Sequence, residues 1–398
     1  MLVVVGASLA GLRAVEAARK QGFSGRVVLV GAETHPPYDR PPLSKAFLAT
    51  GAEPAAPSYR DAAALAELDV ELRLGSPATG LDLDAREVQT ADGTVPYDAL
   101  VVATGASPRT LPGPALTGVH VLRTLDDARA VRAGLDAGAR TVVVGAGFIG
   151  SEVASAARER GLPVTVLEAA PAPALRAVGP VAAALCAGLH ERAGVDLRCG
   201  ATVAGLEGDG ARVTGVRLST GEALPADLVV VGIGCTPATS WLEASGLVLD
   251  DGVRCDERLM SCAAGVFAAG DVARVDTAAG PVRLEHWTSA AEQGALAGAN
   301  AAAHLVDQPL APWAGVPYFW SDAYGSKLQL VGHPTDQAEV LGDADGPWLV
   351  LYRRGDLLAG ALSLDLPGRI MKFRALVQRG APYDDALALA RSRPLVAA

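Results

Sequence analysis

Two glycine-rich turns constrain this chain more than any other feature. Gly6-Ala-Ser-Leu-Ala-Gly11 follows the apolar run Leu2-Val-Val-Val5, and Gly145-Ala-Gly-Phe-Ile-Gly150 follows Thr141-Val-Val-Val144. Each sits where a strand passes into a helical pattern. In the second turn Gly145 permits the tight reversal, Gly147 lets the backbone approach a pyrophosphate, and Gly150 lets the helix pack closely on the sheet. The start of the helix offers unpaired N–H groups and a positive dipole end to phosphates. One such turn suggests one dinucleotide, and two suggest a pair held in one protein to exchange electrons.

The strand after the second turn ends in Glu168. A carboxylate there accepts hydrogen bonds from a ribose 2′-hydroxyl and repels a 2′-phosphate, which favours NADH over NADPH. In the first turn Ser8 replaces the middle glycine, which adds a Cβ and a hydroxyl beside the pyrophosphate position. Glu33, just past the strand at 26–30, is the corresponding ribose ligand or an acid of a surface loop.

The chain of 398 residues is long for one core. The pattern around each turn is strand, helix, strand: strand 2–5, helix about 9–20 and strand 26–30, then strand 141–144, helix about 148–160 and strand 163–167. A helix near 180–193 follows, then strands near 201–206 and 212–218. From about 311 aromatics cluster, and strands near 327–331, 348–353 and 357–364 precede two terminal helices. The fold class is α/β: two Rossmann-like dinucleotide-binding domains plus a small α+β C-terminal domain. The boundaries are 1–109 with 235–310 for a discontinuous first domain, 110–234 for the second and 311–398 for the third. Pro36-Pro-Tyr-Asp-Arg-Pro-Pro-Leu-Ser-Lys45 holds too much proline for a regular helix and reads as a shaped loop.

Taken alone, the turns do not say which site holds which nucleotide. The Pro-rich loop, Ala103-Thr-Gly-Ala106, Ala268-Ala-Gly-Asp-Val272, Leu284-Glu-His-Trp-Thr-Ser-Ala-Ala-Glu-Gln-Gly294 and Trp320-Ser-Asp-Ala-Tyr-Gly325 occur in order along the chain. Together they resemble the FAD-dependent ferredoxin reductases that feed cytochrome P450s and aromatic-ring dioxygenases. The resemblance implies that Gly6, Ser8, Gly11, Glu33, Thr104, Gly105 and Asp271 hold FAD, with Arg40 and Lys45 near the cofactor. It implies that Gly145, Gly147, Ile149, Gly150, Glu168 and Gly234 hold NAD. Glu152 would pair with Lys45, or be a plain helix-surface acid. Glu285 would lie by the nicotinamide amide. Trp287 would line the flavin pocket, or pack in the core, and Trp320 would cover a flavin face. Lys45, Glu152, Glu285 and Trp320 are the catalytic candidates. Ser8 and Ala323 depart from the family pattern.

The implied function is an NADH-dependent reductase passing electrons through FAD to an iron–sulfur ferredoxin. The alternatives are an NADH oxidase or monodehydroascorbate-like reductase with a small acceptor, or a redox-sensing scaffold resembling apoptosis-inducing factor. Five cysteines, an odd number with no C-x-x-C spacing, argue against a disulfide framework or a metal site and fit a reducing interior. None lies in the loop 36–50. The count of 34 basic against 44 acidic residues gives a net charge of −10, which disfavours nucleic acid and anionic membranes as partners. No leader precedes the first strand and no apolar run reaches the roughly 18 residues of a membrane span, so a cytoplasmic location is expected. Arg369, Lys372, Arg374 and Arg379 form either a docking patch for an acidic partner or a solvated helix face. The oligomeric state stays open.

Overall fold

The structure is a computed structural model that describes residues 1–278, 280–392, 394 and 395. It divides into two compact units. One comprises Met1–Asp39, Ala56–Ser107 and Thr236–Gly315, and the other Arg40–Ala55, Pro108–Cys235 and the chain from Val316 onward. The α-helices of the described chain are α1 (Leu9–Lys20), α2 (Ala62–Ala66), α3 (Leu125–Asp136), α4 (Phe148–Glu159), α5 (Leu175–Arg192), α6 (Trp287–His304), α7 (Ile370–Gln378) and α8 (Tyr383–Arg391). None is long and apolar enough to cross a membrane.

The first unit is built on a parallel sheet in the order Val266–Ala268, Ala99–Val102, Leu2–Val5, Val27–Val30, Val70–Arg73. All four residues of Leu2–Val5 are buried, as a central strand covered on both faces requires. Helix α1 turns Leu9, Leu12, Val15 and Ala18 inward at helical spacing. Burying Leu12 and Val15 fully contributes about 1.5–3 kcal/mol each. Helix α6 lies against α1 at very short range. A Cβ on Gly294 would stand 2.3 Å from the Ala10 carbonyl oxygen, and one on Gly298 2.0 Å from that of Ala14. Two small sheets complete the unit: an antiparallel one of Ala78–Asp82, Glu87–Thr90 and Gly93–Pro96, and a mixed one in which Ala273–Thr277 pairs parallel with Val253–Cys255 and antiparallel with Gly280–Arg283.

The second unit contains a similar parallel sheet, ordered Asp196–Cys199, Val164–Glu168, Thr141–Val144, Leu228–Val231, Val119–His120. The Pro-rich loop enters this unit at Arg40 and forms two short 3-10 turns, Pro41–Ser44 and Ala46–Leu48. Arginines clamp it from two helices. Arg132 of α3 donates to the carbonyls of Phe47 (2.6 Å) and Ala49 (2.8 Å), and Arg160 donates to that of Leu48 (2.6 Å). The C-terminal part is a five-stranded antiparallel sheet ordered Tyr318–Ala323, Ser326–Gly332, Leu357–Leu364, Trp348–Arg354, Ala338–Gly342. Its alternation is regular. Leu349 and Leu351 face Ile370 and Phe373 of α7, while Trp348, Val350 and Tyr352 face Val178, Ala182 and Cys186 of α5.

The architecture is thus the α/β class expected from the two turns, with an antiparallel C-terminal sheet. Several elements differ from the periodicity reading. The C-terminal sheet has five strands where three were expected. Tyr318–Ala323 lacks a clean apolar/polar alternation, because its buried positions are Phe319 and the polar Ser321, and Ala338–Gly342 is short and half-exposed. Helix α5 begins at Leu175, before the expected 180, with a break at Gly179 (φ +76°) ahead of Pro180. The strand expected at 163–167 is Val164–Glu168, so Glu168 is its last residue.

Candidate functional site

In the first unit, the turn at Gly6 is set by the backbone around it. Gly6 has φ +121° and a Cβ there would lie 2.1 Å from the Ala103 carbonyl oxygen, while one on Gly11 would lie 1.9 Å from that of Gly6. Only hydrogen fits at either position. Ser8 is the extended N-cap residue of α1, so the helix start points out of this turn. Glu33 follows the strand Val27–Val30 and accepts a hydrogen bond from the Tyr38 hydroxyl. The Thr104 hydroxyl donates to the Ala238 carbonyl (2.9 Å), and the Gly105 carbonyl accepts from the Ala238 amide (2.9 Å). Asp271 lies in the 3-10 turn Gly270–Val272. The buried Gln293 of α6 steadies that turn by accepting from the Gly270 amide (2.9 Å).

Trp287 opens α6, and its ring is oriented rather than merely packed. Its Nε1–H donates to Asp39 Oδ1 (2.7 Å) and to the Tyr59 hydroxyl (3.1 Å), and Tyr59 itself donates to Asp39 Oδ1 (2.7 Å). Burial, reinforced by Asp39, raises the Tyr59 phenol well above its ordinary range and keeps it a donor. Asp39 and Tyr59 were not singled out from the sequence, although Asp39 lies inside the Pro-rich loop. Gln293 likewise had only its place in a quoted motif to mark it. Glu285 is exposed and paired with Arg283 at 2.8 Å.

In the second unit, the same division of labour appears among glycines. A Cβ on Gly145 (φ +103°) would meet the Gly232 carbonyl oxygen at 2.3 Å, and one on Gly150 would meet that of Gly145 at 2.0 Å. Gly147 differs, because nothing lies within 4 Å of where its Cβ would be. Packing within the protein does not demand glycine there, whereas close approach of an external group does. Glu168 stands beside this turn, with Oε2 accepting from the Ala146 amide (2.8 Å) and Oε1 from the Ala170 amide (2.8 Å). Ile149 is 45 % exposed at the head of α4, an apolar side chain left in the open next to the glycines. Gly234 (φ +94°) is also exposed, with no neighbour within 4 Å of a Cβ.

One turn further along α4, Glu152 is 3 % exposed, so it is not a helix-surface acid. Lys45 Nζ sits 2.8 Å from its Oε1. Ser44 donates to Oε2, while the Ser321 hydroxyl (2.5 Å) and the Asp322 amide (3.3 Å) donate to Oε1. A buried carboxylate is tolerable only when charge and lone pairs are both satisfied, and here both are. Ser321 was missed as a partner, since alternation along Tyr318–Ala323 alone does not say which element its inward face meets. On that strand the neighbouring Trp320 stacks on Tyr318, with ring centroids 6.0 Å apart and planes at 26°. Arg40 donates to the Arg123 carbonyl (2.5 Å).

With this geometry in hand, comparison with known proteins decides the family. A model of the pyridine nucleotide-disulphide oxidoreductases matches residues 1–294, and one of the reductase C-terminal region matches 318–398. The chain belongs to the pyridine nucleotide-disulphide oxidoreductase family. It is 36 % identical to rhodocoxin reductase of Rhodococcus erythropolis, over 98 % of this chain and 95 % of that protein. It is 38 % identical to the ferredoxin–NAD(+) reductase component of the biphenyl dioxygenase system of Paraburkholderia xenovorans, over 90 % of this chain and 85 % of that one. Among solved structures, the covalent putidaredoxin reductase–putidaredoxin complex superposes with a TM-score of 0.92 at 34 % identity, covering 99 % of this chain and 96 % of the other. Despite the family name, all five cysteines here are free thiols. Burial pushes Cys186 and Cys255 up to about 12, far from a reactive thiolate.

Proposed function

We propose that the chain is an NADH-dependent flavoprotein reductase that passes electrons through FAD, one at a time, to an iron–sulfur ferredoxin serving a P450 or ring-hydroxylating oxygenase. Relatives named as ferredoxin–NAD(+) reductase components and as putidaredoxin reductase support this reading. The observation that carries it is the loop from Arg40 to Ala55, which holds a half-buried Lys45 paired with the buried Glu152 of α4 and no cysteine. Chemistry at a disulfide would need a thiol there, while hydride transfer needs positioning and a cation.

The residues present fit both dinucleotides. The space before Gly147 admits a pyrophosphate against the head of α4, where the first N–H groups lack intrahelical partners. Gly145, Ile149, Gly150, Glu168 and Gly234 complete the NAD assignment. Gly6, Ser8, Gly11, Glu33, Thr104, Gly105, Asp271 and Trp287 are assigned to FAD, together with Arg40, Lys45 and Trp320. Bound FAD supplies the conversion of a two-electron donor into one-electron steps. Lys45 contributes a fixed positive charge that favours a reduced, anionic cofactor. Glu152 holds that ammonium in place, and Glu285 is assigned to the nicotinamide amide. We divide the chain into an FAD domain (1–109 and 235–310), an NAD domain (110–234) and a C-terminal interface domain (311–398). The free cysteines fit a reducing compartment, and we place the protein in the cytoplasm.

The test is NADH consumption with and without a ferredoxin. A reductase is slow in air and fast with ferredoxin, whereas an oxidase is fast in air and a redox-sensing scaffold is slow in both. Nucleotide choice gives a second check. Glu168→Arg is expected to shift preference toward NADPH by on the order of tenfold, about 1.4 kcal/mol, measured as the ratio of kcat/KM for the two donors.

A further inference from the structure

The same unit holds a buried polar group that the reaction does not use. His190, near the end of α5, is 2 % exposed. Its Nε2 lies 3.1 Å from Ser151 Oγ, and its Nδ1 lies 2.9 Å from the Tyr324 hydroxyl. Ser151 Oγ also sits 3.0 Å from the Gly147 carbonyl oxygen. The Gly147 carbonyl also accepts from the Ser151 amide (2.9 Å), and with the Ser151 hydroxyl donating to the same oxygen, proton counting sets the remaining directions. A carbonyl only accepts, so the single Ser151 hydroxyl proton is committed to Gly147. Ser151 Oγ must then accept from His190, which places the imidazole proton on Nε2. Nδ1 is left bare and accepts from Tyr324. The sequence of donors is Tyr324, His190, Ser151, ending on the middle glycine of the dinucleotide turn.

Two further observations show that the Tyr324 end is held deliberately. Tyr324 has φ +56° in the turn between the strands Tyr318–Ala323 and Ser326–Gly332, a left-handed conformation unfavourable for a non-glycine residue. Its amide donates to Ser155 Oγ of α4 at 2.8 Å, which fixes the strained residue against the same helix. In the neutral ring one nitrogen accepts while the other donates, so the imidazole passes the chain on from Tyr324 to Ser151. Burial lowers His190 to about 4, so the ring stays neutral at working pH.

We propose that His190 is a positioning residue for the NADH site: through Ser151 it ties the Gly147 carbonyl, and with it the dinucleotide turn, to the strained Tyr324 turn of the C-terminal sheet. The C-terminal part of this unit thereby sets NADH affinity without touching the nucleotide. This rests on the assignment of the Gly145–Gly150 turn to NAD.

Equilibrium binding of NADH to the flavin-loaded full chain tests it, using Ser151→Ala, Tyr324→Phe and the double variant. Each single change is expected to raise the Kd about three- to tenfold, the range of one net hydrogen bond. KM for NADH rises with it, while kcat at saturating NADH moves less than about twofold. The double variant is expected to bind no more weakly than the weaker single, because both changes cut one chain. His190→Gln, which can still accept at one end and donate at the other, is expected to restore part of the affinity lost in His190→Phe. Unchanged Kd in the singles, or losses that simply multiply in the double, would overturn the proposal while leaving the NAD assignment intact. A wild-type chain that binds no NADH would remove both.

Discussion

At the scale of single residues, the arrangement around Glu152 shows how a charge can be held inside. Desolvating a carboxylate costs several kcal/mol unless opposite charge and hydrogen bonds offset it. Lys45 supplies the charge, and Ser44, Ser321 and the Asp322 amide fill the lone pairs. On the proposed assignment of Lys45 to the flavin, Lys45→Met is expected to slow reduction of the bound flavin by NADH at least about tenfold while flavin content is retained, because a cation favouring the reduced cofactor is removed. Anaerobic stopped-flow absorbance checks this, and a wild-type rate would reduce Lys45 to a structural partner of Glu152. His190 gives a pH prediction whose sign follows from its environment. Its folded value of about 4 lies below the ordinary 6.5, so between those values the unfolded chain binds more protons. The stability contributed by burying the neutral ring is complete above pH 6.5 and is lost as pH falls toward 4, by about 3 kcal/mol. Denaturant unfolding across this range should show a steeper slope in the wild type than in His190→Phe, since His120 and His333, also lowered by burial, contribute to both.

At the scale of elements, the close approach of α1 and α6 rests on two glycines with no space beside them. Gly298→Ala would drive a methyl into the Ala14 carbonyl. The helices must separate, at an expected cost of about 3 kcal/mol, read as a fall in melting temperature together with reduced flavin content. Gly147→Ala, by contrast, meets nothing in the protein and should leave the melting temperature unchanged. The same contrast explains what was legible beforehand. The strand–turn–helix units at Gly6 and Gly145 are local patterns of three to four buried apolar residues followed by glycines, and such patterns survive translation from sequence to structure. What could not be read locally was which elements meet. Ser321 reaches Glu152, Asp39 and Tyr59 orient Trp287, and Tyr324 reaches His190 only because the fold brings distant segments together. The capping box of Thr124 and Asp127 that starts α3 was visible in principle, and α6 escaped notice because its alanine- and glycine-rich face lacks large apolar side chains.

At the scale of the whole molecule, the question is where a chain of net charge −10 presents a charged docking surface to a ferredoxin. One-electron carriers dock through small, partly charged surfaces, and their association weakens as salt rises. The basic cluster near α7 is the candidate area, but its members divide. Arg369 donates to the carbonyls of Pro394 (3.0 Å) and Ala390 (2.8 Å), and Arg374 donates to that of Val316 (2.9 Å). Both tie the C-terminal part together, a role that neither a docking patch nor a solvated face describes. Lys372 and Arg379 are exposed, and Met371 beside them is 44 % exposed, giving an apolar contact next to two charges. Lys372 and Arg379 are therefore the members of the cluster to test as docking contacts. Lys372→Glu with Arg379→Glu is expected to raise the KM for ferredoxin several-fold at low salt, about 1 kcal/mol, and to flatten its salt dependence. NADH-to-ferricyanide activity, which needs no docking, should stay the same. Arg374→Ala is expected to act differently, lowering the melting temperature and both activities together. If the double reversal leaves the ferredoxin KM and its salt slope unchanged, the partner docks elsewhere and these two side chains are only solvated.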